Sequence, residues 1–249
     1  MKLIARLSQV AVASTVLALP MTGHADLVGW SGWTHQVYAG GGLGVQYINN
    51  KTRINNAVNS ATYLPLGFNN HRAASVSNLD VGLANSMGKN YWGVEFNAVN
   101  TTADNSAYYN GAVGYAANYY TYTANMPWRY ELDGIMGYYV QPNILAYGKL
   151  GGTMGRLNTL YTQAGVPNVA GGSTIALNKI LYGVVVGGGS QYVVNQHWRV
   201  GAEADFVQFF NGHKTDSNYI YDTAVVPADL NYQIKQWNFV AKATVNYLF

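Results

Sequence analysis

Gln233–Phe249, QIKQWNFVAKATVNYLF, alternates residue by residue to its last position. Trp237, Phe239, Ala241, Ala243, Val245, Tyr247 and Phe249 share one face; Gln236, Asn238, Lys242, Thr244 and Asn246 share the other. A period of two over this length is a β-strand with one apolar and one polar side. Such a strand needs neighbours of the same two-faced kind on both edges.

The rest of the chain supplies them. Short turn signals recur at Gly88-Lys89-Asn90, Gln141-Pro142-Asn143 and Asn195-Gln196-His197. Strands are predicted near Trp33–Ile48, Ala73–Met87, Tyr91–Thr101, Trp128–Val140, Ile144–Leu157, Lys179–Val194, Trp198–Phe210 and Gln233–Phe249. Between them lie four long polar stretches, Asn49–Arg72, Thr102–Pro127, Asn158–Asn178 and Asn211–Tyr232, expected to be loops. The fold class is therefore all-β: an eight-stranded antiparallel up-and-down barrel, with tight turns at one end and long loops at the other.

The alternation sorts the charges onto one side. Asp80, Glu95, Arg129, Glu131, Asp133, Lys149, Arg199, Glu203, Asp205 and Lys242 all fall on the polar faces of predicted strands. Aromatic residues of the apolar faces collect at strand ends: Trp92, Tyr138, Tyr192, Trp198, Tyr247 and Phe249 toward the turns, Tyr47, Trp128, Tyr130, Tyr182, Phe210 and Trp237 toward the loops. Two aromatic belts flanking an aliphatic band match the two interfaces of a membrane. A soluble barrel would place its charges outside, and with only 10% charged residues that surface would be poorly soluble. The apolar face is thus expected to meet lipid and the charges to form a lumen network. An eight-stranded barrel is just wide enough for side chains to fill. Such a network either only fills the lumen or, with six acids facing four bases, lines a narrow cation path. Glycines at Gly40–Gly44 and Gly187–Gly189 suit a crowded wall, leaving room for a long side chain opposite.

The opening residues, MKLIARLSQVAVASTVLALPMTGHA, have the basic, apolar and small-residue parts of a secretory signal, removed after Ala25 to leave a barrel domain of residues 26–249. Cysteine is absent, so stability must come from the sheet. After the signal no run of apolar residues is long enough for a membrane helix. Basic residues are dispersed, which excludes a nucleic-acid partner.

In its signal, eight strands, four loops and closing WNFVAKATVNYLF, the chain resembles the small bacterial outer-membrane barrels related to the OmpA transmembrane domain and the opacity-type surface proteins. The resemblance implies localisation in the outer membrane, with Phe249 as part of the signal read by the barrel-assembly machinery. It implies contact with outer-membrane lipid and lipopolysaccharide, and a structural or adhesive role through a host-cell or phage ligand. The chain departs from OmpA in ending at Phe249 without a peptidoglycan-binding domain, so a cell-wall tether is not expected.

Candidate chemistry is sparse. His213 stands near Asp216 and Ser217, a loose echo of a lipid-cleaving site, but Thr215 occupies the position where the barrel deacylases place a serine. No two histidines have metal-ligand spacing and no glycine motif precedes a helix, so neither a metal nor another cofactor is expected. Tyr108, Tyr109, Tyr115, Tyr119, Tyr120 and Tyr122 make the second loop the recognition candidate, since tyrosine offers a large amphipathic contact at low entropy cost. The alternative is that these rings cover the barrel rim.

Overall fold

A computed structural model describes residues 33–56, 66–102, 105–111, 118–164, 174–210, 212–220 and 227–249. The signal segment 1–25 lies outside them.

The described strands are β1 (Trp33–Asn56), β2 (Leu66–Met87), β3 (Asn90–Thr101), β4 (Asn105–Gly111), β5 (Asn118–Asn125), β6 (Trp128–Gln141), β7 (Ile144–Ala164), β8 (Thr174–Val193), β9 (Trp198–Phe209), β10 (Gly212–Ile220) and β11 (Pro227–Leu248). Eight of them close a ring in the order β1-β2-β3-β6-β7-β8-β9-β11, every pairing antiparallel. Closure is made by β1 against β11, from Tyr38 opposite Leu248 to Asn56 opposite Leu230. It leaves the wall without a free edge. The chain is an eight-stranded antiparallel β-barrel.

Three tight connections lie at one end. The first is Gly88-Lys89, where Gly88 takes φ +58°, a left-handed conformation that a Cβ would strain. Backbone bonds from Tyr139 N–H to Lys89 O (2.8 Å) and from Val193 N–H to Asn143 O (2.8 Å) fasten neighbouring turns together.

At the other end the expected loops are largely strand. β1 continues to Asn56 and β2 begins at Leu66, so most of Asn49–Arg72 is paired wall. β4 and β5 form a hairpin inside Thr102–Pro127, and β5 goes on to pair with β7 beyond the end of β6. β7 and β8 stay paired out to Thr162 and Thr174, and β10 lies along β11. The polar Asn- and Thr-rich stretches lack the apolar alternation that marks a lipid-facing strand, yet their backbone groups still need partners, and the adjoining ladder supplies them. A membrane strand needs only about 9–11 residues, so the longer strands carry the wall well past the loop-side aromatic belt.

The two faces are cleanly divided. Leu43, Val45, Leu83, Val94, Leu132, Met136, Leu150, Val186 and Val245 are exposed on the outside, whereas the ten charged residues of the predicted network are buried inside. The predicted belt residues Trp92, Tyr138, Tyr192, Trp198, Tyr47, Trp128, Tyr130 and Tyr182 are exposed, and Trp237 and Tyr247 half-buried, on the outer face. They touch one another: Trp237 lies 5.7 Å from Tyr47 and 5.8 Å from Phe206 between ring centroids, and Tyr247 lies 5.0 Å from Trp198 and 5.1 Å from Phe249. An exterior this apolar has its lowest free energy in lipid.

Candidate functional site

The interior is stacked in layers. Toward the turns sits an aromatic and aliphatic layer of Tyr38, Tyr91, Ile135, Tyr139, Leu145, Tyr147 and Leu248. Tyr91 meets Tyr139 edge-on at 6.3 Å. Arg199 belongs to this layer rather than to the ion network: it donates to Gln36 Oε1 at 2.6 Å and to the Tyr139 hydroxyl at 3.1 Å, and its guanidinium lies 5.6 Å from the centre of the Tyr91 ring. Charge-assisted bonds and a cation–π contact take the place of a carboxylate partner.

The middle layer carries the ions. Lys149 Nζ lies 2.6 Å from Glu203, 3.2 Å from Asp205, 3.3 Å from Asp133 and 4.0 Å from Glu131. Lys242 Nζ lies 2.9 Å from Glu203 and 3.5 Å from Asp205. Arg129 holds Glu131 at 2.6 Å and donates to Gln46 at 2.8 Å. Asp80 and Glu95 have no basic partner within ion-pair distance among the described residues. Glu95 instead accepts from Tyr38 (2.8 Å) and from Asn97 (2.7 Å), and Asp80 accepts from Asn78 (3.1 Å) and, with the Asn246 amide turned so that its nitrogen faces the carboxylate, from Asn246 (3.2 Å). Tyr147 donates to Glu203 at 2.6 Å.

Register explains these meetings. β8 stands between β7 and β9, and Gly187 lies directly opposite both Lys149 and Asp205, with Gly189 opposite Glu203. Where β8 has no side chains, Lys149 reaches over it to the β9 carboxylates. A Cβ on Gly187 would meet the Asp205 carboxylate. Gly40 on β1 stands likewise between Asp80 and Asn246, and Gly44 backs onto Lys242.

Toward the loops apolar side chains (Ile48, Leu157, Leu181, Val185, Val207, Phe209 and Ile234) are buried beside polar ones (Gln46, Asn50, Thr52, Thr101, Gln236 and Asn238). The predicted lumen charges thus gather in the middle layer, with Arg199 apart toward the turns. A polar chain crosses this upper layer, in which Gln236, Asn50, Thr52 and Tyr122 are linked by bonds of 2.9–3.2 Å.

Tyr122 departs from the expectation: the sequence groups it with the recognition tyrosines, but it is 1% exposed and hydrogen-bonded to Thr52, because β5 continues the inward parity of the barrel wall. Tyr108, Tyr109, Tyr119 and Tyr120 are carried by the β4–β5 hairpin, where only their backbone is described, and Tyr115 lies outside the described residues. The side chains of His213, Asp216 and Ser217 also lie outside the description; the backbone of β10 places His213 opposite Gln233 and Asp216 opposite Leu230.

The sequence reading does not single out the buried bonding partners Tyr38, Gln46 and Asn78. Asn78 shares a strand face with Asp80, and that parity is the signal that could have found it, whereas β1, which carries Tyr38 and Gln46, holds no predicted lumen charge.

No family model matches the sequence, and no curated protein matches it. Solved structures do. Outer membrane protease OmpT from Escherichia coli is 15% identical, covers 86% of this chain and 97% of its own, and superposes with a TM-score of 0.44. Outer membrane protein OprG from Pseudomonas aeruginosa is 11% identical over 88% and 98%, TM-score 0.43. Ail, the attachment invasion locus protein of Yersinia pestis, solved with the heparin analogue sucrose octasulfate, is 11% identical over 85% and 99%, TM-score 0.33. Their roles differ and belong to those proteins. The closed ring of eight antiparallel strands, with its apolar exterior and charged middle layer, is the β-barrel fold that this chain has in common with these outer-membrane proteins.

Proposed function

We propose that this protein is a structural and surface-interacting barrel whose lumen is closed and whose working surface is the loop end. The observation that carries the reading is the stack of buried side chains along the axis, from the Tyr38–Tyr139 layer through Lys149 and Glu203 to Tyr122. A lumen of this size closes when long side chains meet across it. Signal-directed export, insertion by the barrel-assembly machinery through Phe249 and contact with lipopolysaccharide belong to this reading. So does binding of a host-cell or phage ligand by the β4–β5 hairpin. No catalytic role is assigned.

Ion conductance of the refolded barrel in a planar bilayer tests it, with heat-dependent gel mobility as the folding control. A folded barrel that carries no steady current supports the reading; cation-selective steps that change in Glu203→Gln overturn it.

One observation favours a second reading, a narrow cation-preferring porin. Asp80, Glu95, Glu131, Asp133, Glu203 and Asp205 share the lumen's middle with Arg129, Lys149 and Lys242 alone, and Asp133 Oδ1 and Asp205 Oδ1 are buried with no hydrogen-bond partner among the described residues. A surplus of buried carboxylates attracts cations or protons. Selectivity of any current distinguishes this porin from the closed barrel.

A further inference from the structure

At the loop end the closed ring divides. The β8–β9 ladder stops at Gly183 opposite Phe209, with one last bond from Phe210 N–H to Tyr182 O (2.8 Å). Above it, among the described residues, β8 pairs only with β7 and β10 only with β11. β4 pairs with β5, and no ladder joins it to β2 among the described residues. The crown is thus two four-stranded sheets, β10-β11-β1-β2 and β4-β5-β7-β8, each with two open edges.

Open edges invite pairing, and proteins protect them with charges, prolines, bulges or poor strand formers. Three of the four have such protection. β2 carries His71 and Arg72, both exposed. β10 carries Lys214 and Asp216 and has a bulge between Asp216 and Tyr219. β4, NSAYYNG, is short and rich in Asn, Ser and Gly. The free part of β8, Thr174–Leu181, reads TIALNKIL: it has no proline, glycine or bulge against β7, and Lys179 is its only charge. At about 3.4 Å per residue this edge is roughly 20 Å long, the length of an ordinary strand.

Parity says which of its backbone groups are open. The N–H and C=O of one residue in an antiparallel strand point the same way, and neighbours alternate. Tyr182 O accepts from Phe210, so Ile180, Asn178, Ala176 and Thr174 turn their backbone groups toward β10 and away from β7. By the same rule Gly212, Lys214 and Asp216 turn theirs toward β8. Gly212 leaves room for Leu181 at the foot of this cleft. Lys179 and Lys214 flank it against Asp216 alone, and the exposed charged side chains described on the crown, Lys51, Arg53, Arg72, Arg156 and Lys235, are all basic.

We propose that the β8 edge is a docking site for an extended, acidic polypeptide segment of a partner protein, added as a strand in the cleft toward β10. Main-chain bonds to Ala176, Asn178 and Ile180 carry the affinity, and carboxylates near Lys179 and Lys214 the choice of partner. A second copy of this chain fits less well. Two copies in one membrane run β8 in the same direction, so their β8 edges cannot form an antiparallel pair. The proposal rests on the reading of the loop end as the working surface and names a partner for it.

The test uses the full chain refolded in phosphatidylcholine bicelles, with heat-dependent gel mobility confirming the fold. The probe is a short fluorescent peptide of alternating threonine and valine with an aspartate near each end. Its anisotropy should rise to saturation. Amide exchange at Ala176, Asn178 and Ile180 should slow, while Leu177 and Lys179, which face β7, should not change. The same peptide N-methylated on alternate residues should bind about tenfold more weakly, as the loss of one or two backbone hydrogen bonds implies. Ala176→Pro removes one N–H facing the cleft and leaves the β7 ladder whole, so it should weaken binding similarly with gel mobility unchanged. Equal binding of the N-methylated peptide overturns the proposal whether or not the proline variant folds. So does self-association of the barrel that Ala176→Pro abolishes, which would make a second copy the occupant. Exchange that slows at β4 in place of β8 overturns the β8 site while leaving the loop end as the working surface.

Discussion

Lys149 and Glu203 meet at 2.6 Å although the strands that carry them, β7 and β9, are separated by β8. The contact passes over the glycines of β8, and the same Glu203 oxygen also takes Lys242 at 2.9 Å. One carboxylate therefore links β7 to β11, with β8 and β9 between them in the ring. Neighbour-to-neighbour hydrogen bonds hold the wall, but the Lys149–Glu203 contact ties strands that share no ladder.

Lys149 is the hub, so Lys149→Met should destabilise the barrel more than any single acid substitution. Removing one member of a buried ion pair typically costs about 3–5 kcal/mol, because the remaining charges lose their compensation. Urea unfolding in lipid vesicles reads the loss. Lys149→Met combined with Glu203→Gln should lose less than the two single changes added together.

Gly187 should tolerate no side chain. A Cβ there would meet the Asp205 carboxylate and block the path of Lys149, so Gly187→Ala is expected to cost about 1–3 kcal/mol by overpacking. Gly152 faces outward with open space where its Cβ would lie, and Gly152→Ala should be near neutral. The difference between the two unfolding midpoints checks the argument.

Tyr122 should behave as a core residue. Tyr122→Phe removes the bond to Thr52 and should cost about 1 kcal/mol, whereas Tyr122→Ala opens a cavity and should cost about 3–5 kcal/mol. Burial raises the hydroxyl to about 12. The folded state then keeps a proton that the unfolded chain releases near 10, so this contribution is complete below that pH and is lost as pH rises toward 12. Tyr122→Phe should flatten that alkaline loss in a pH series of unfolding midpoints.

The hairpin tyrosines should separate from Tyr122 in binding experiments. Replacing Tyr108, Tyr109, Tyr119 and Tyr120 by serine should leave heat-dependent gel mobility unchanged while lowering capture of whole cells or phage. A deletion that extends through Tyr122 should instead harm folding, and comparing the mobility of the two variants decides between them.

Period-two alternation is local, so the chain by itself settled which residues face lipid and which face the lumen: Glu95 against Phe96 or Lys242 against Ala241 needs no knowledge of other strands. The same rule located the tight turns, since Gly88 and Pro142 punctuate the pattern. Where the outward apolar residues stop, that signal stops too. The continuation of β1 to Asn56, the β4–β5 hairpin and the inward turn of Tyr122 therefore emerged only with the strands paired. Tertiary structure alone decided which charges meet. Lys149 finds Glu203 and Arg199 finds Gln36 through the stagger of strands around a closed ring, and that stagger is fixed by all eight ladders together.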